Sequence, residues 1–494
     1  MQEEKQHIHT EESELIKQRR AKLESIRDSG VYPYGGKFET SSTIKAIRDG
    51  FSEGMKVAVA GRIMASRLHG KSLFFDIKDS TGRMQAYVKE DAVGAEKFEF
   101  LKSMDIGDFI GARGDTFKTR TGEPTVALKE FEILSKSLRP LPEKWHGLKD
   151  VETRYRQRYV DLVMNDDVRA VFMARSAIVS RIRRFLDERG FIEVETPMMQ
   201  SIPGGAAGKP FRTHHEALGI DLFLRIAPEL FLKRLLVGGM DRVYEINRNF
   251  RNEGISVRHN PEFTMLEVYE AYSDCDGMMR LTEEMITDLA KNVMGKTELE
   301  YQGRKIDLSK WERISFADLM KDQFGITPEE KPAEWVAKLK GKGVEIEGKE
   351  LSKTQLINIV GELIEPKAGD HPVFVTELFR ELCPLAKTKR DNPLLTDRFE
   401  LYMGGMEIAN AYSELNDPVE QRTRFEADIN NAANDKRSTV NDKRVIDDDF
   451  LRALEYGMPP AGGLGIGIDR LVMILTNSAS IRDVILFPQL KPES

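Results

Sequence analysis

The chain has 494 residues, more than one ordinary hydrophobic core organises, so two or more domains are expected. A formal net charge of −7 with 31% charged residues excludes a globally basic nucleic-acid binder and leaves room for local basic patches. Cys275 and Cys383 are the only cysteines, which excludes a disulfide framework and a four-cysteine zinc site, and the eight histidines show no metal-ligand spacing. The N-terminus is charged and no long apolar run occurs, which predicts a soluble, cytoplasmic protein with no membrane partner.

Leu15, Arg19, Lys22, Leu23 and Ile26 recur at helical spacing, predicting an amphipathic helix over 11–28 that stops at Gly30. Its basic residues could touch RNA, but a capping helix with a solvated face is the plainer reading. Residues 55–135 read as five short strands with turns at 79–82 and 119–122 and a helix near 94–104. That count fits a small Greek-key barrel of the OB type, which binds oligonucleotides on a strand face. Alternation turns Leu73, Phe75, Ile77, Met84, Ala86 and Val88 inward, so Phe74, Gln85 and Tyr87 face out. Single exposed apolar residues are common, yet an outward phenylalanine has a natural partner in a nucleic-acid base.

Residues 136–165 form a connector, two prolines followed by the basic, tyrosine-bearing RYRQRYVDL. A helix of about twenty residues from Asp166 leads into GFIEVETPMM (190–199), a strand closed by Pro197. The glycine- and alanine-rich 200–215 suits a loop closing over substrate. In 222–239, Glu229 is the lone acid of an apolar and basic helix, where the ordinary reading is a carboxylate favoured by the helix dipole.

The stretch Arg242–Tyr272 reads as two strands, Val243–Glu253 and Glu262–Tyr272, around a polar loop ending at Pro261. Asn247, Asn249, Arg251 and Glu253 share one face, and so do Phe263, Met265, Glu267 and Tyr269 on the return. If the faces coincide, a guanidinium, two carboxylates and two aromatics converge. The alternative is a solvated face laced with ion pairs. Residues 281–370 carry no assigned chemistry. Residues 396–415 read as strand, Gly404-Gly405 turn, strand, with Asn410, Tyr412 and Glu414 on one face. Glu407 falls on the opposite face unless a bulge lies near 406–409.

FRNE, a loop and RHNPEF together resemble the second signature motif of class II aminoacyl-tRNA synthetases. GFIEVETPMM resembles the first, used in dimerisation, and GLGIGIDRLVMIL (463–475) the third. The class I signatures HIGH and KMSKS do not occur. The PGGAA stretch, Ala227-Pro228-Glu229-Leu230, Met265-Leu266-Glu267-Val268-Tyr269 and Asn410-x-Tyr412-Ser-Glu414 are similar to the lysyl branch of subclass IIb. Tyr412 stands where some bacterial members have phenylalanine.

The resemblance implies an α+β multidomain fold: an OB anticodon-binding barrel at 51–140 after a lead-in at 1–50, a hinge at 141–165, and a class II catalytic domain at 166–494. That domain is expected on an antiparallel sheet flanked by helices, with 281–370 as an inserted helical region. The activity implied is the joining of L-lysine to tRNA(Lys) through lysyl-adenylate, consuming ATP with about two to three Mg²⁺ ions, in a homodimer that binds no DNA. Arg251 and Arg470 would carry catalysis. Arg251, Glu253, Arg258, His259, Phe263 and Arg470 would bind ATP; Glu400 and Glu407 would hold metal. Gly205, Glu229, Glu267, Tyr269, Asn410, Tyr412 and Glu414 would bind lysine. Arg67, Phe74 and Gln85 would read the anticodon, with Glu130 a further candidate whose face the pattern leaves open. Asp469 stands where many class II enzymes have Glu, and little consequence is expected of it. The glutamates among the lysine-binding residues sit in apolar runs where an unpaired charge costs several kcal/mol, so a cation is needed among them, and a lysine ammonium would supply it. Open alternatives are an aspartyl or asparaginyl enzyme of the same fold and a paralogue that lysylates a translation factor.

Overall fold

A computed structural model describes residues 2–142, 148, 150–206, 208–346, 351–434 and 445–492. Residues 143–147 and 149 of the expected hinge, Ala207 of the 200–215 loop and 347–350 of the inserted segment therefore lie outside the described residues. The chain packs as two units, Met1–Lys149 and Asp150–Ser494.

In the first unit, strands Lys56–His69, Ser72–Lys78, Arg83–Lys89, Phe109–Lys118 and Pro124–Ser135 close a barrel in the order one-two-three-five-four. Alternation builds it: Leu73, Phe75, Ile77, Met84, Ala86 and Val88 fill the interior with Ile63, Ile110 and Val126. The helix Gln2–Asp28 precedes the barrel, with Leu23 and Ile26 buried. Its Arg19 donates to the carbonyls of Ile106, Ser137 and Arg139, which spends that cation on the fold.

The second unit is built on an eight-stranded sheet. From one edge, its strands are Glu312–Ser315, Val373–Thr376, Arg398–Met403, Met406–Ser413, Ala461–Gly467, Glu262–Ala271, Arg242–Phe250 and Ile192–Glu193. The outermost pair at each edge is parallel and every inner pair antiparallel. One face carries the core: Leu266, Val268, Leu464, Ile466, Ala409 and Ala411 pack on helices Asp166–Asp187, Cys275–Asn292 and Ile468–Thr476. The other face is left for polar side chains. Gly404 and Gly405, both with positive φ, make the tight turn between Arg398–Met403 and Met406–Ser413.

The hairpin differs from expectation at its end. Its strands are Arg242–Phe250 and Glu262–Ala271, so Arg251 and Glu253 lie beyond the ladder. Arg251 N–H still donates to Pro261 C=O at 2.8 Å, but Pro261 has no N–H to return the bond, and pairing stops there. The basic residues of the connector are spent on the fold. Arg158 is buried, bonded to Asp161 and to the carbonyls of Arg482 and Leu486, and Arg154 bonds Asp161, so these cations are turned into the fold.

Candidate active site

Strand register aligns the polar face. Glu245, Glu267, Gly465, Asn410 and Glu400 sit side by side across five strands, and Tyr269, Gly463, Tyr412 and Arg398 form the neighbouring row. The two faces of the hairpin do coincide, because Asn249 pairs with Phe263 and Asn247 with Met265. Gly463 and Gly465 leave the middle of both rows without side chains, which opens a floor. A Cβ on Gly463 would lie 1.8 Å from Glu414 Oε1 and 2.7 Å from the Tyr269 ring, so only glycine fits.

At one end of this floor, Glu229, Glu267, Glu414, Tyr269 and Tyr412 are all buried. Tyr412 O–H donates to Glu229 Oε2 at 2.7 Å, and Tyr269 O–H to Glu267 Oε2 at 3.2 Å. Gly205, at positive φ, rests against Glu229, where an added Cβ would meet Glu229 Cβ at 3.2 Å. The first cation in this cage is the chain's own, which corrects the expectation that a ligand must supply it. Lys233 Nζ lies 2.6 Å from Glu229 Oε1 and 2.5 Å from Glu414 Oε2. Burial pulls the Lys233 ammonium down, and the two carboxylates more than offset that, so it stays charged. Burial, then the charge of Glu229, pushes Glu267 up to about 8; burial also raises Glu414 against the pull of Lys233.

Arg398 links this end to the next. Its Nε donates to Asn410 Oδ1 at 3.0 Å and its Nη2 to Glu400 Oε1 at 2.6 Å, while Tyr402 O–H takes Glu400 Oε2 at 2.9 Å. The pairing skips Ile408, so Tyr402 faces Glu407 and Leu401 faces Ala409. This bulge, inside the 406–409 window, removes the conflict that strict alternation set up for Glu407. Burial and the nearby charge of Glu407 raise the Glu400 carboxyl, and Arg398 opposes them.

At the far end Arg251 is half-buried, its guanidinium 5.1 Å from the centre of the Phe263 ring, with its Nε out of water and without a hydrogen-bond partner. Burial lowers it while Glu253, Glu407 and Glu267 hold it up. Arg251 and Glu253 both lie against Gly208, where a Cβ would meet them at 3.2 and 3.4 Å. Arg470 Nη1 donates to Glu407 C=O at 2.9 Å and lies 3.4 Å from its Oε2. Arg470 Nη2 donates to His259 Nε2 at 3.0 Å, and His259 Nδ1 then faces Ser256 Oγ at 2.8 Å. Burial and the Arg470 charge lower His259, which keeps its ring neutral. The Arg258 carbonyl accepts from Arg470 Nε at 3.5 Å, while its guanidinium pairs elsewhere, Nη1 lying 3.6 Å from Glu365 in the inserted segment.

Sequence reasoning missed four partners. Lys233 was visible as the i+4 neighbour of Glu229. Arg398 was visible two residues before Glu400 on a strand. Arg225, buried and 2.6 Å from Glu245 Oε1, gives no local signal. Nor does Asp469, the position from which little was expected: its Oδ1 takes Arg175 Nη1 at 2.6 Å and its Oδ2 takes Thr264 N–H at 2.7 Å. It thereby ties the residue after Phe263 to the residue before Arg470.

On the barrel, Phe74 stands on the outer face with Tyr87 at 4.8 Å between ring centres, His69 at 5.9 Å from Phe74, and Phe117 at 5.7 Å from Tyr87. Arg67 pairs with Asp76 at 3.2 Å and Gln85 Oε1 accepts from Thr125. A bulge skips Lys129, so Leu128 pairs with Gly114 and Glu130 with Arg113. That shift leaves both Lys129 and Glu130 exposed, which alternation could not assign.

Comparison with known proteins agrees with both units. Residues 57–134 match the OB-fold nucleic acid binding domain, and residues 150–491 match the tRNA synthetases class II (D, K and N). The lysine–tRNA ligase of Pelotomaculum thermopropionicum is 55% identical over 97% of this chain and 95% of its own. Those of Carboxydothermus hydrogenoformans and Bacillus subtilis are 53% and 48% identical, each over 98% of this chain and 99% of their own. Among the described residues no helix is long and apolar enough to cross a membrane. An OB barrel followed by a class II sheet with a glycine floor, matched along nearly its full length, places this chain in the lysine–tRNA ligase family of class II tRNA synthetases.

Proposed function

We propose that the chain activates L-lysine with ATP to lysyl-adenylate, releasing pyrophosphate, and passes the lysyl group to the terminal ribose of tRNA(Lys). The observation that carries this reading is the buried cage of Glu229, Glu267 and Glu414, with the half-buried Arg251, whose Nε is out of water and lacks a partner, on the same polar face. Carboxylates in that number, out of water, suit the ammonium groups of a diamino acid, whereas an aspartate or asparagine side chain brings no positive charge to meet them. A site built to bond a charged head rejects analogues lacking it by about 10⁴–10⁵.

The side chains supply position and charge rather than a nucleophile. Arg251, with five donors in a fixed fork, holds the amino-acid carboxylate against the α-phosphate so that attack is in line. Phe263 stacks on adenine and Glu253 accepts from its amine. Arg470 and His259, already bonded to each other, meet the departing phosphates; Arg258 joins them on leaving Glu365. Gly205, Tyr269, Asn410 and Tyr412 complete the lysine site. Glu400 and Glu407 fit a divalent cation: two neighbouring carboxylates repel each other, and Glu400 keeps lone pairs beyond those used by Arg398 and Tyr402. When bound with ATP, such ions, two to three in number, neutralise charge between carboxylate and polyphosphate. Arg67, Phe74, Gln85 and Glu130 read the anticodon, with Phe74 stacked on a base.

The domain limits 1–50, 51–140, 141–165 and 166–494 remain part of this reading. So does a homodimer, supported by exposed Ile192, on the edge strand of the large sheet, and exposed Met198 and Met199 later in the first motif. Sedimentation at equilibrium tests it, and a monomer at micromolar concentration would refute it. The substrate is tested by ATP–pyrophosphate exchange run with lysine, aspartate and asparagine in parallel; exchange driven best by either of the latter two sinks the proposal.

A further inference from the structure

The cage contains more than its acids. Lys233 lies one helical turn after Glu229 in the helix Glu229–Val237, fully buried, with its ammonium 5.7 Å from the centre of the Tyr412 ring. It donates to Glu229 Oε1 and pairs with Glu414 Oε2 at 2.5 Å, and Tyr412 O–H donates to Glu229 Oε2, so Glu229 has a donor on each oxygen. The acceptors that remain are on Glu414, which meets Lys233 as an ion pair through Oε2 but has no hydrogen bond on either oxygen, and Glu267, which accepts the longer Tyr269 bond. The charges follow the same count. Once a bound ammonium holds all three carboxylates ionised, they and the one internal ammonium leave two negative charges, the number that the two ammonium groups of a free diamino acid neutralise, its carboxylate being matched by Arg251.

A buried ion pair is weak evidence for stability, because desolvation takes back most of its attraction. Its retention here is better explained by what it fixes. Without Lys233, Glu229 and Glu414 would face each other across the space of its side chain as an unbalanced like-charge pair, and one would take up a proton or draw a substrate ammonium into the wrong place.

We infer that Lys233 is a positioning and specificity-determining residue, which neutralises one carboxylate of the cage and aims Glu414 so that the pocket presents acceptors for two substrate ammonium groups and no more. The inference rests on the reading of this cage as the lysine site. Its role is indirect: Lys233 touches Glu229 and Glu414, and these set the place of the substrate.

The test is ATP–pyrophosphate exchange on the full-length protein carrying Lys233→Met or Lys233→Arg, with Glu267→Gln as a control on the site itself. Lys233→Met is expected to raise the KM for lysine at least about tenfold while the KM for ATP stays within about twofold, a split that general loss of packing does not produce. Lys233→Arg, which keeps the charge, is expected to recover a large part of that loss. Lys233→Gln, uncharged but still a donor, stands in if the methionine variant does not fold. A lysine KM unchanged in the uncharged variant overturns the inference. So does a parallel rise of both KM values with a lowered melting temperature that arginine does not repair, since that is a packing role. If Glu267→Gln also leaves the lysine KM unchanged, the site reading falls; if it raises that KM and Lys233→Met does not, the role of Lys233 alone falls.

Discussion

At the acid end of the cleft, Glu229, Glu414 and Lys233 close on one another out of water, whereas at the phosphate end Arg251 keeps an unpartnered Nε and Arg470 leans on Glu407 and His259 nearer to solvent. The acid end is held by its own side chains, and so it selects. The phosphate end keeps a donor of Arg251 uncommitted, suited to a ligand that brings its own negative charge, while Arg470 is held in place by Glu407 and His259. Selectivity and chemistry are thereby separable, and substitutions at the two ends should separate them.

The largest effect is expected at the acid end. Glu229→Gln combined with Glu414→Gln removes both negative charges beside Lys233 and should lower lysine-dependent exchange by about 10³-fold or more, given the cost of a buried ammonium with no counter-charge. ATP affinity, measured by equilibrium dialysis, should change little. Exchange at the wild-type rate would break the assignment of this pocket. At the other end, Arg251→Lys keeps a charge but loses the fork, and should cost about 10²–10³ in kcat with a small change in lysine KM. If kcat holds and lysine KM rises instead, the division between the two ends is drawn in the wrong place.

How far this division could be read in advance depends on the range of the interactions that make it. Phe74, Gln85 and Tyr87 follow from alternation, a property of neighbours in the chain, and the barrel keeps its period there. The bulge at Ile408 was legible as a contradiction: Glu400 and Glu407 could not share a site without one. Alternation failed at Glu253 because it was carried past Phe250, where Pro261 ends the ladder. Asp469 was read as inconsequential because its partners, Arg175 and Thr264, are remote in sequence and nothing local announces them. Lys233 is the instructive case. It was in plain sight at i+4 from Glu229, but a lysine on a helix is normally solvated, and burial on this helix is decided by strands that come later in the chain.

The barrel offers a third point of comparison, an outer face that carries Phe74 and Tyr87 side by side. Phe74→Ala should raise the KM for tRNA in aminoacylation by roughly tenfold, within the ~1–3 kcal/mol that base–aromatic stacking contributes. Lysine–ATP exchange should be unaffected, since it needs no tRNA. A fall in exchange would mean that the two units are coupled more closely than this division allows.

The smallest effect is the one that acid and base alone can produce. In the free pocket burial and the charge of Glu229 push Glu267 up to about 8, from an ordinary value of 4.5. A substrate ammonium beside it favours the ionised form, so its value in the complex is lower. Between those two values binding expels a proton, and lysine affinity should rise with pH, by no more than about tenfold per unit from this one group, levelling off above about 8. The stability of the free protein runs the other way: the folded state binds the extra proton between 4.5 and about 8, so this carboxyl's contribution to stability declines as pH climbs through that window. Lysine should therefore raise the melting temperature more at pH 8 than at pH 6. Glu267→Gln should flatten both trends, and a variant that kept them would move the titrating group elsewhere in the cage.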